Sequence, residues 1–127
     1  MSNSSLPAAC RMYGIRNCDS MKKAFAWLTA NGVAYEFVDY RKAAPSEEQL
    51  ADWSRRLGWR NLLNTRGTTW RGLDEAARAD IDENKALRLL ACHPTLIRRP
   101  VIDGGDDLLL VGFDPERYAL AFGGTGK

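Results

Sequence analysis

The sequence predicts an α/β protein built on a mixed sheet of about four strands, with an all-helical insertion in the middle of the chain. Three observations lead to this prediction. Residues 10–43 have the pattern of a strand, a helix and a second strand. Residues 44–97 carry helical patterns, and residues 98–122 return to a β-hairpin that is followed by a helix.

The first predicted element is a short apolar strand from Cys10 to Gly14, and a helix follows it after a turn. The helix has a broad apolar face and ends at the Asn31-Gly32 pair, which is a typical C-terminal signal. A second strand over 35–40 is rich in β-formers. A strand, helix and strand of this length form a right-handed unit with two parallel strands. The apolar face of the helix is predicted to contain Ala24, Phe25, Trp27, Leu28 and Ala30.

The insertion opens with Ser46-Glu47-Glu48-Gln49, which is a capping box for a helix that carries Leu50, Trp53 and Leu57 on one side and ends at Gly58. The pattern stays helical from there, with interruptions at Gly67 and Gly72. The clearest helix is Asp82 to Cys92. Its predicted buried residues are Ala86, Leu87, Leu89 and Leu90.

The last part of the chain predicts a β-hairpin and a final helix. Val101–Asp103 and 108–112 are apolar segments around a Gly-Gly-Asp turn. Asp114 followed by Pro115 combines an N-cap residue with the proline favoured at the first helical position. We therefore expect one domain over 10–122, with a disordered extension over 1–9 and a flexible tail over 123–127.

Composition excludes several classes of protein. The 127 residues carry 18 basic and 16 acidic side chains, a net charge of +2, which demands neither nucleic acid nor an anionic membrane as a partner. Three cysteines and one histidine, without metal-site spacing, indicate a reducing cytoplasm and no metal. The first residues lack a basic and then apolar leader, so we expect a soluble, unexported protein. We also expect it to act as a monomer.

The candidate chemistry gathers where the first strand gives way to the helix, with Cys18 at the tip of the turn. Asp19 or Ser20 can cap the helix, so the N–H groups of its first turn would face Cys18 and favour a thiolate. Arg16 and the two lysines at 22 and 23 would supply positive charge. The alternative is a buried, inert core thiol, which is common for free cysteines.

A cysteine pair is absent from this motif, because the position of a second cysteine is occupied by Met21. A redox enzyme of this kind cannot close a disulfide within the motif. It would need a small thiol such as glutathione, or a distant cysteine, to complete its cycle.

The predicted order of elements, with a thiol at the first strand–helix junction, is a thioredoxin-like topology. Four segments resemble the ArsC/Spx family of glutaredoxin-linked arsenate reductases and their relatives over about residues 10–122. These segments are Asn17-Cys18-Asp19-Ser20-Met21-Lys22-Lys23-Ala24, Leu62-Leu63-Asn64-Thr65-Arg66, His93-Pro94-Thr95-Leu96-Ile97-Arg98-Arg99-Pro100-Val101 and Leu110-Val111-Gly112-Phe113.

The resemblance implies a role for several of these residues. Cys18 would be the nucleophile, and Arg66 and Arg99 would hold an anion beside it. Asn17, Asp19 and Ser20 would complete the substrate site around the thiol. The resemblance also implies a cis peptide bond before Pro100, and Arg98 would be a surface residue.

The chain departs from the arsenate reductases at Gly112-Phe113-Asp114, where those enzymes carry a further arginine. Its sequence looks more like a small subgroup thought to be glutathione-dependent thiol reductases. The resemblance thus implies an attack by Cys18 on a glutathione mixed disulfide or on arsenate, with glutathione or glutaredoxin resolving the adduct and no bound cofactor. The alternative is a non-catalytic, Spx-like regulator that binds RNA polymerase, although Met21 removes the cysteine pair of that branch.

Two further residues have open interpretations. Cys92 could be a resolving thiol, but its place on the helix with Leu89 and Leu90 favours the core. His93 is expected to be a structural hydrogen-bond partner rather than a general base or a metal ligand.

Overall fold

The computed structural model describes residues 10–105 and 107–122, so the predicted extension over 1–9 and tail over 123–127 lie outside the described residues. The chain divides into two compact units. One is formed by Met1–Asp39 together with Arg99–Lys127, and the other by Tyr40–Arg98. We call them the sheet unit and the helical unit and describe each by itself.

The sheet unit contains a four-stranded mixed sheet, as the sequence predicts. Its strands are β1 (Cys10–Gly14), β2 (Tyr35–Asp39), β3 (Val101–Asp103) and β4 (Leu109–Val111), in the order β2-β1-β3-β4. β1 is parallel to β2 and antiparallel to β3, which in turn pairs antiparallel with β4. The carboxyl end of the central strand β1 therefore leads directly into the turn that carries Cys18.

Two helices complete this unit. Helix α1 (Asp19–Ala30) buries Met21, Ala24 and Leu28, while Phe25 and Trp27 are only partly buried. Ala30 is exposed, so the predicted apolar face of α1 is narrower than the pattern suggested. The last helix of the chain, Pro115–Ala121, buries its tyrosine. The core of the unit consists of Cys10, Met12, Met21, Ala24, Leu28, Ile102, Leu110 and Tyr118.

Five helices form most of the helical unit: α2 (Glu47–Leu57), α3 (Trp59–Leu62), α4 (Thr68–Gly72), α5 (Glu75–Arg78) and α6 (Glu83–Cys92). The final helix, in the sheet unit, is α7 (Pro115–Ala121). The Ser46 hydroxyl caps α2 by accepting the N–H of Gln49 at 3.0 Å, as predicted. Among the described residues, no helix combines the length and the apolar character needed to cross a membrane.

The core of the helical unit is apolar. Leu50, Trp53 and Leu90 have 1% or less of their surface exposed, and burial of side chains of this size contributes about 1.5–3 kcal/mol each. Leu87 and Leu89, predicted as buried, are only half-buried because α6 presents just Ala86 and Leu90 fully to the core. One polar pair joins α2 to α6, since the buried Ser54 hydroxyl donates to the Glu83 carboxylate at 2.7 Å.

Candidate active site around Cys18

Cys18 itself is the N-cap residue of α1. Its backbone is extended, with φ −154° and ψ 136°, and its carbonyl accepts the N–H of Lys22 at 3.0 Å. The prediction that Asp19 or Ser20 caps the helix is therefore wrong. The helix begins one residue earlier, because the turn closed by the Cys18 N–H and the Arg16 carbonyl, at 3.1 Å, leads directly into the first helical turn.

The geometry of this elbow depends on close packing between Gly14 and Met21. Met21 is fully buried, and a Cβ added to Gly14 would overlap its sulfur and terminal methyl group. A residue without a side chain at the end of β1 thus allows the first turn of α1 to lie against the strand. Met21 is thus a core residue at the position where a second thiol of the motif would stand.

The pKa of Cys18 is lowered by its surroundings. Partial burial is the largest influence and raises the pKa, but the N–H of Met21, the guanidinium of Arg99 and the N–H of Ser20 together outweigh it. The sulfur does not form a capping hydrogen bond of ordinary geometry. The N–H groups instead act as donors at the positive end of the helix dipole, which favours the thiolate.

The positive charge beside the thiol comes from Arg99 rather than from the residues next to it in sequence. The guanidinium of Arg16 lies over the ring of Phe37, 4.5 Å from its centroid, so Arg16 is engaged with β2. Lys22 and Lys23 are exposed on α1. The expectation that Arg16, Lys22 and Lys23 lower the pKa of Cys18 is therefore wrong. The charged side chain that lowers this pKa is Arg99.

Arg99 is held by its position just before β3. The Arg99–Pro100 peptide bond is cis, the isomer that the sequence analysis predicted. The carbonyl of Pro100 accepts the N–H of Gly112 at 2.8 Å, so this segment is tied to the end of β4. The sheet thereby brings a half-buried arginine to the thiol of α1.

The other predicted site residues are distributed between the two units. Asn17 and Asp19 are exposed and Ser20 is half-buried, all next to Cys18 in sequence. Arg66 lies in the helical unit and is exposed there, so the prediction that it reaches the thiol stays a prediction. Arg98 is exposed, as expected. Arg60 was not predicted as a site residue, although it lines a cavity together with Arg66 and Arg98. The sequence feature that could have indicated it is a basic residue two positions before the Leu62–Arg66 segment.

The segment where arsenate reductases carry a further arginine has structural roles in this chain. Gly112 has a φ of 81°, a conformation that favours glycine. The ring of Phe113 packs edge-on against Tyr118 with centroids 5.3 Å apart, and the Asp114 carboxylate caps α7 through the N–H of Arg117. These three positions therefore build the connection from β4 to α7.

The three cysteines are free thiols in different environments. Cys10 is buried in β1, and burial together with the charge of Asp103 raises its pKa to about 11. Cys92 is exposed at the end of α6, so the expectation that it belongs to the core is wrong. Within residues 10–105 and 107–122, no group of three or more potential metal ligands forms.

A four-stranded mixed sheet, a thiol at the N-terminus of the first helix and a cis proline just before β3 define a thiol oxidoreductase with a thioredoxin-like fold. The sequence model of the ArsC family matches residues 13–121. The chain therefore belongs to the ArsC family.

Similar proteins cover nearly the whole chain. An uncharacterised protein of Haemophilus influenzae is 41% identical over 87% of this chain and 96% of its own length. A solved structure of a YffB protein is 47% identical with a TM-score of 0.84, and it covers 88% of this chain and 97% of its own. An arsenate reductase (ArsC) related protein from Brucella melitensis is 40% identical with a TM-score of 0.70, over 93% and 96% of the two chains.

Proposed function

We propose that this protein is a glutathione-dependent thiol reductase in which Cys18 is the nucleophile. The observation that carries the proposal is the pairing of a thiol of lowered pKa with the Arg99 guanidinium at the N-terminus of α1. A thiolate is the reactive form in disulfide exchange, and a fixed cation beside it offsets the repulsion between the thiolate and an anionic substrate. Membership of the ArsC family supports the same chemistry.

The reaction has two exchange steps. The Cys18 thiolate attacks the glutathionyl sulfur of a mixed disulfide, the old S–S bond breaks, and the substrate leaves as a thiolate that takes up a proton. A second glutathione thiolate then attacks the new Cys18–glutathione disulfide. This step releases Cys18 as a thiolate and forms oxidised glutathione, so the net reaction converts the mixed disulfide and one glutathione thiol into the substrate thiol and oxidised glutathione.

The proposed reaction uses an external thiol because the motif around Cys18 contains no second cysteine that could resolve the adduct. Met21 occupies the position of a second cysteine and is fully buried. Cys10 is buried in the strand before the turn with a raised pKa, so it is a poor resolving thiol. Glutathione or glutaredoxin supplies the missing thiol. We therefore propose that the protein acts in the reducing cytoplasm.

Arsenate is the second candidate substrate. Its oxygens would be held by Arg99 and Arg66, but Gly112, Phe113 and Asp114 offer no third guanidinium and have structural roles. We therefore propose that disulfide reduction is the faster reaction. The Spx-like alternative, a regulator that binds RNA polymerase, does not require a thiol of lowered pKa.

A turnover assay tests the proposal. The protein is incubated with glutathione, with and without glutaredoxin, and with either a glutathionylated disulfide or arsenate as oxidant. We expect turnover with the disulfide to exceed turnover with arsenate, and we expect the Cys18→Ser variant to be inactive with both. A Cys92→Ser variant, which removes an exposed thiol, is the matched control. Absence of turnover with both oxidants would reject the reductase and favour the regulator.

A further inference from the structure

A polar cavity of about 280 Å³ opens in the helical unit and is surrounded by three arginines, Arg60, Arg66 and Arg98. Leu63, Asn64 and Thr65 complete its described lining, which contains no carboxylate. Among residues 10–105 and 107–122, none of the three guanidiniums forms an ion pair. Like charges around one cavity repel each other, and a bound anion would remove that repulsion.

The backbone around the cavity is fixed by the core. Leu63 and Ile97 form an antiparallel bridge and are buried. The hydroxyl of the buried Tyr40 donates to the Ile97 carbonyl at 2.7 Å, one residue before Arg98. Two backbone hydrogen bonds flank the bridge, from the Asn64 N–H to the Leu96 carbonyl at 2.8 Å and from the Arg98 N–H to the Leu62 carbonyl at 2.7 Å. Arg98 and the loop over 64–66 are thus held side by side.

The groups that line the cavity are mainly donors. The side-chain oxygen of Asn64 accepts the Arg66 N–H at 3.0 Å, which leaves the Asn64 amide N–H groups as donors. The Arg71 guanidinium donates to the Arg66 carbonyl at 2.7 Å and steadies the loop. Arg60 lies over the ring of Trp59, 4.6 Å from its centroid, an arrangement that uses the face of the guanidinium rather than its in-plane N–H groups.

We infer that this cavity binds a carboxylate group of a small peptide thiol, and that Arg60 and Arg98 act there together with Arg66. A guanidinium matches a carboxylate with two parallel hydrogen bonds. At about 280 Å³ the cavity holds one terminal residue of a tripeptide rather than the whole molecule. The inference rests on the proposed function, which names glutathione as the thiol and so supplies a peptide with two carboxylates.

Equilibrium binding of S-methylglutathione tests this inference. The methyl group blocks the thiol, so binding is measured without turnover. Titration calorimetry is carried out on the wild-type protein and on the Arg60→Gln, Arg98→Gln and Arg88→Gln variants. Arg88 is an exposed arginine of the same unit that lies outside the cavity, so its replacement controls for the loss of one charge. We expect the Kd to rise about tenfold in each of the first two variants, as for the loss of one charged hydrogen bond, and less than twofold in the control.

Two further probes identify the chemistry of the ligand. The dimethyl ester of S-methylglutathione should bind at least tenfold more weakly than the free acid, and inorganic phosphate should compete with the acid. An unchanged Kd in both Arg60→Gln and Arg98→Gln, or equal affinity for ester and acid, would overturn the inference. Phosphate binding that depends on these arginines, without any binding of S-methylglutathione, would also overturn it by assigning the cavity to a free oxyanion. These experiments measure binding and not turnover. A negative result for ligand binding in the cavity is therefore distinguishable from a negative result in the reductase assay.

Discussion

The guanidinium of Arg99 lowers the pKa of the Cys18 thiol, although the entire helical unit lies between the two residues in the sequence. This contact exists because β3 lies beside β1 in the sheet, so the residue before β3 comes next to the turn that follows β1. It joins the cation and the nucleophile of the proposed reaction.

Replacement of Cys18 by serine should abolish reductase activity and leave the fold intact. A hydroxyl fits the space of the thiol but is a far poorer nucleophile. Because the pKa of Cys18 is lowered in the folded protein, its thiolate contributes stability above the ordinary thiol pKa of ~8.5, and this contribution is lost as the pH falls through the lowered pKa. Urea unfolding should therefore give equal stabilities at low pH and a less stable serine variant at high pH. Wild-type rates in the variant would disprove the mechanism at its first step.

Arg99→Lys should damage activity and raise the pKa of Cys18 despite its conserved charge. Lysine is a point charge without the planar fork, so it stabilises the thiolate less well from the same backbone position. The midpoint of iodoacetamide alkylation of Cys18 should move to higher pH, and kcat/KM should fall by about tenfold or more, as for the loss of one charged hydrogen bond. Arg98→Lys, at the exposed neighbouring position, is the control for the alkylation midpoint. An unchanged alkylation midpoint in Arg99→Lys would show that the Arg99 guanidinium does not lower the pKa of Cys18.

Arg66→Lys should reduce turnover, and arsenate should be a slow substrate for every form of the protein. Because no arginine stands at Gly112, Phe113 or Asp114, the proposed function has fewer guanidiniums for a small oxyanion, and the loss of the Arg66 fork should be costly. Steady-state kinetics with arsenate and with a glutathionylated disulfide should show the disulfide as the better substrate. Arg88→Lys serves as the matched control, and arsenate turnover faster than disulfide reduction would contradict the prediction.

Gly14→Ala should destabilise the protein by about 1–3 kcal/mol, the usual cost of overpacking a filled core. The new Cβ overlaps the end of the Met21 side chain, which is buried and has to repack. Because the Met21 N–H faces the thiol, the alkylation rate of Cys18 should fall as well. Gly72→Ala, where a Cβ meets no atom within 4 Å, should be neutral or slightly stabilising in the same unfolding measurement.

Cys10 should resist alkylation in the native protein. It is buried, and its pKa is raised to about 11 by burial and by the charge of Asp103, so almost no accessible thiolate exists at pH 8. Mass spectrometry after brief iodoacetamide treatment should find label on Cys18 and Cys92, and on Cys10 only after unfolding. Rapid native labelling of Cys10 would show that β1 opens locally, or that the assignment of the reactive thiol is wrong.

The sequence by itself determined the main strands and helices, the parallel pairing of the first two strands and the place of the reactive thiol. These features depend on local rules: the Ser46 and Asp114 caps, the proline at the start of the last helix, and the alternation of apolar and polar residues. The strand, helix and strand at the start require a parallel pair, and this places Cys18 at the carboxyl end of β1. Local preferences of this kind act over a few neighbouring residues, so they can be recognised from the sequence alone.

The tertiary structure decided which groups act on the thiol and which residues are buried. Asp19 and Ser20 are good capping residues, but the turn places Cys18 at the cap. Arg16 is close in sequence to the thiol but stacks on Phe37. The guanidinium that lowers the pKa of the thiol belongs instead to Arg99, which follows the helical unit in the sequence. Cys92 has the pattern of a core residue and is exposed. These outcomes depend on contacts between segments distant along the chain, and a sum of local preferences does not contain the packing energies that select among them.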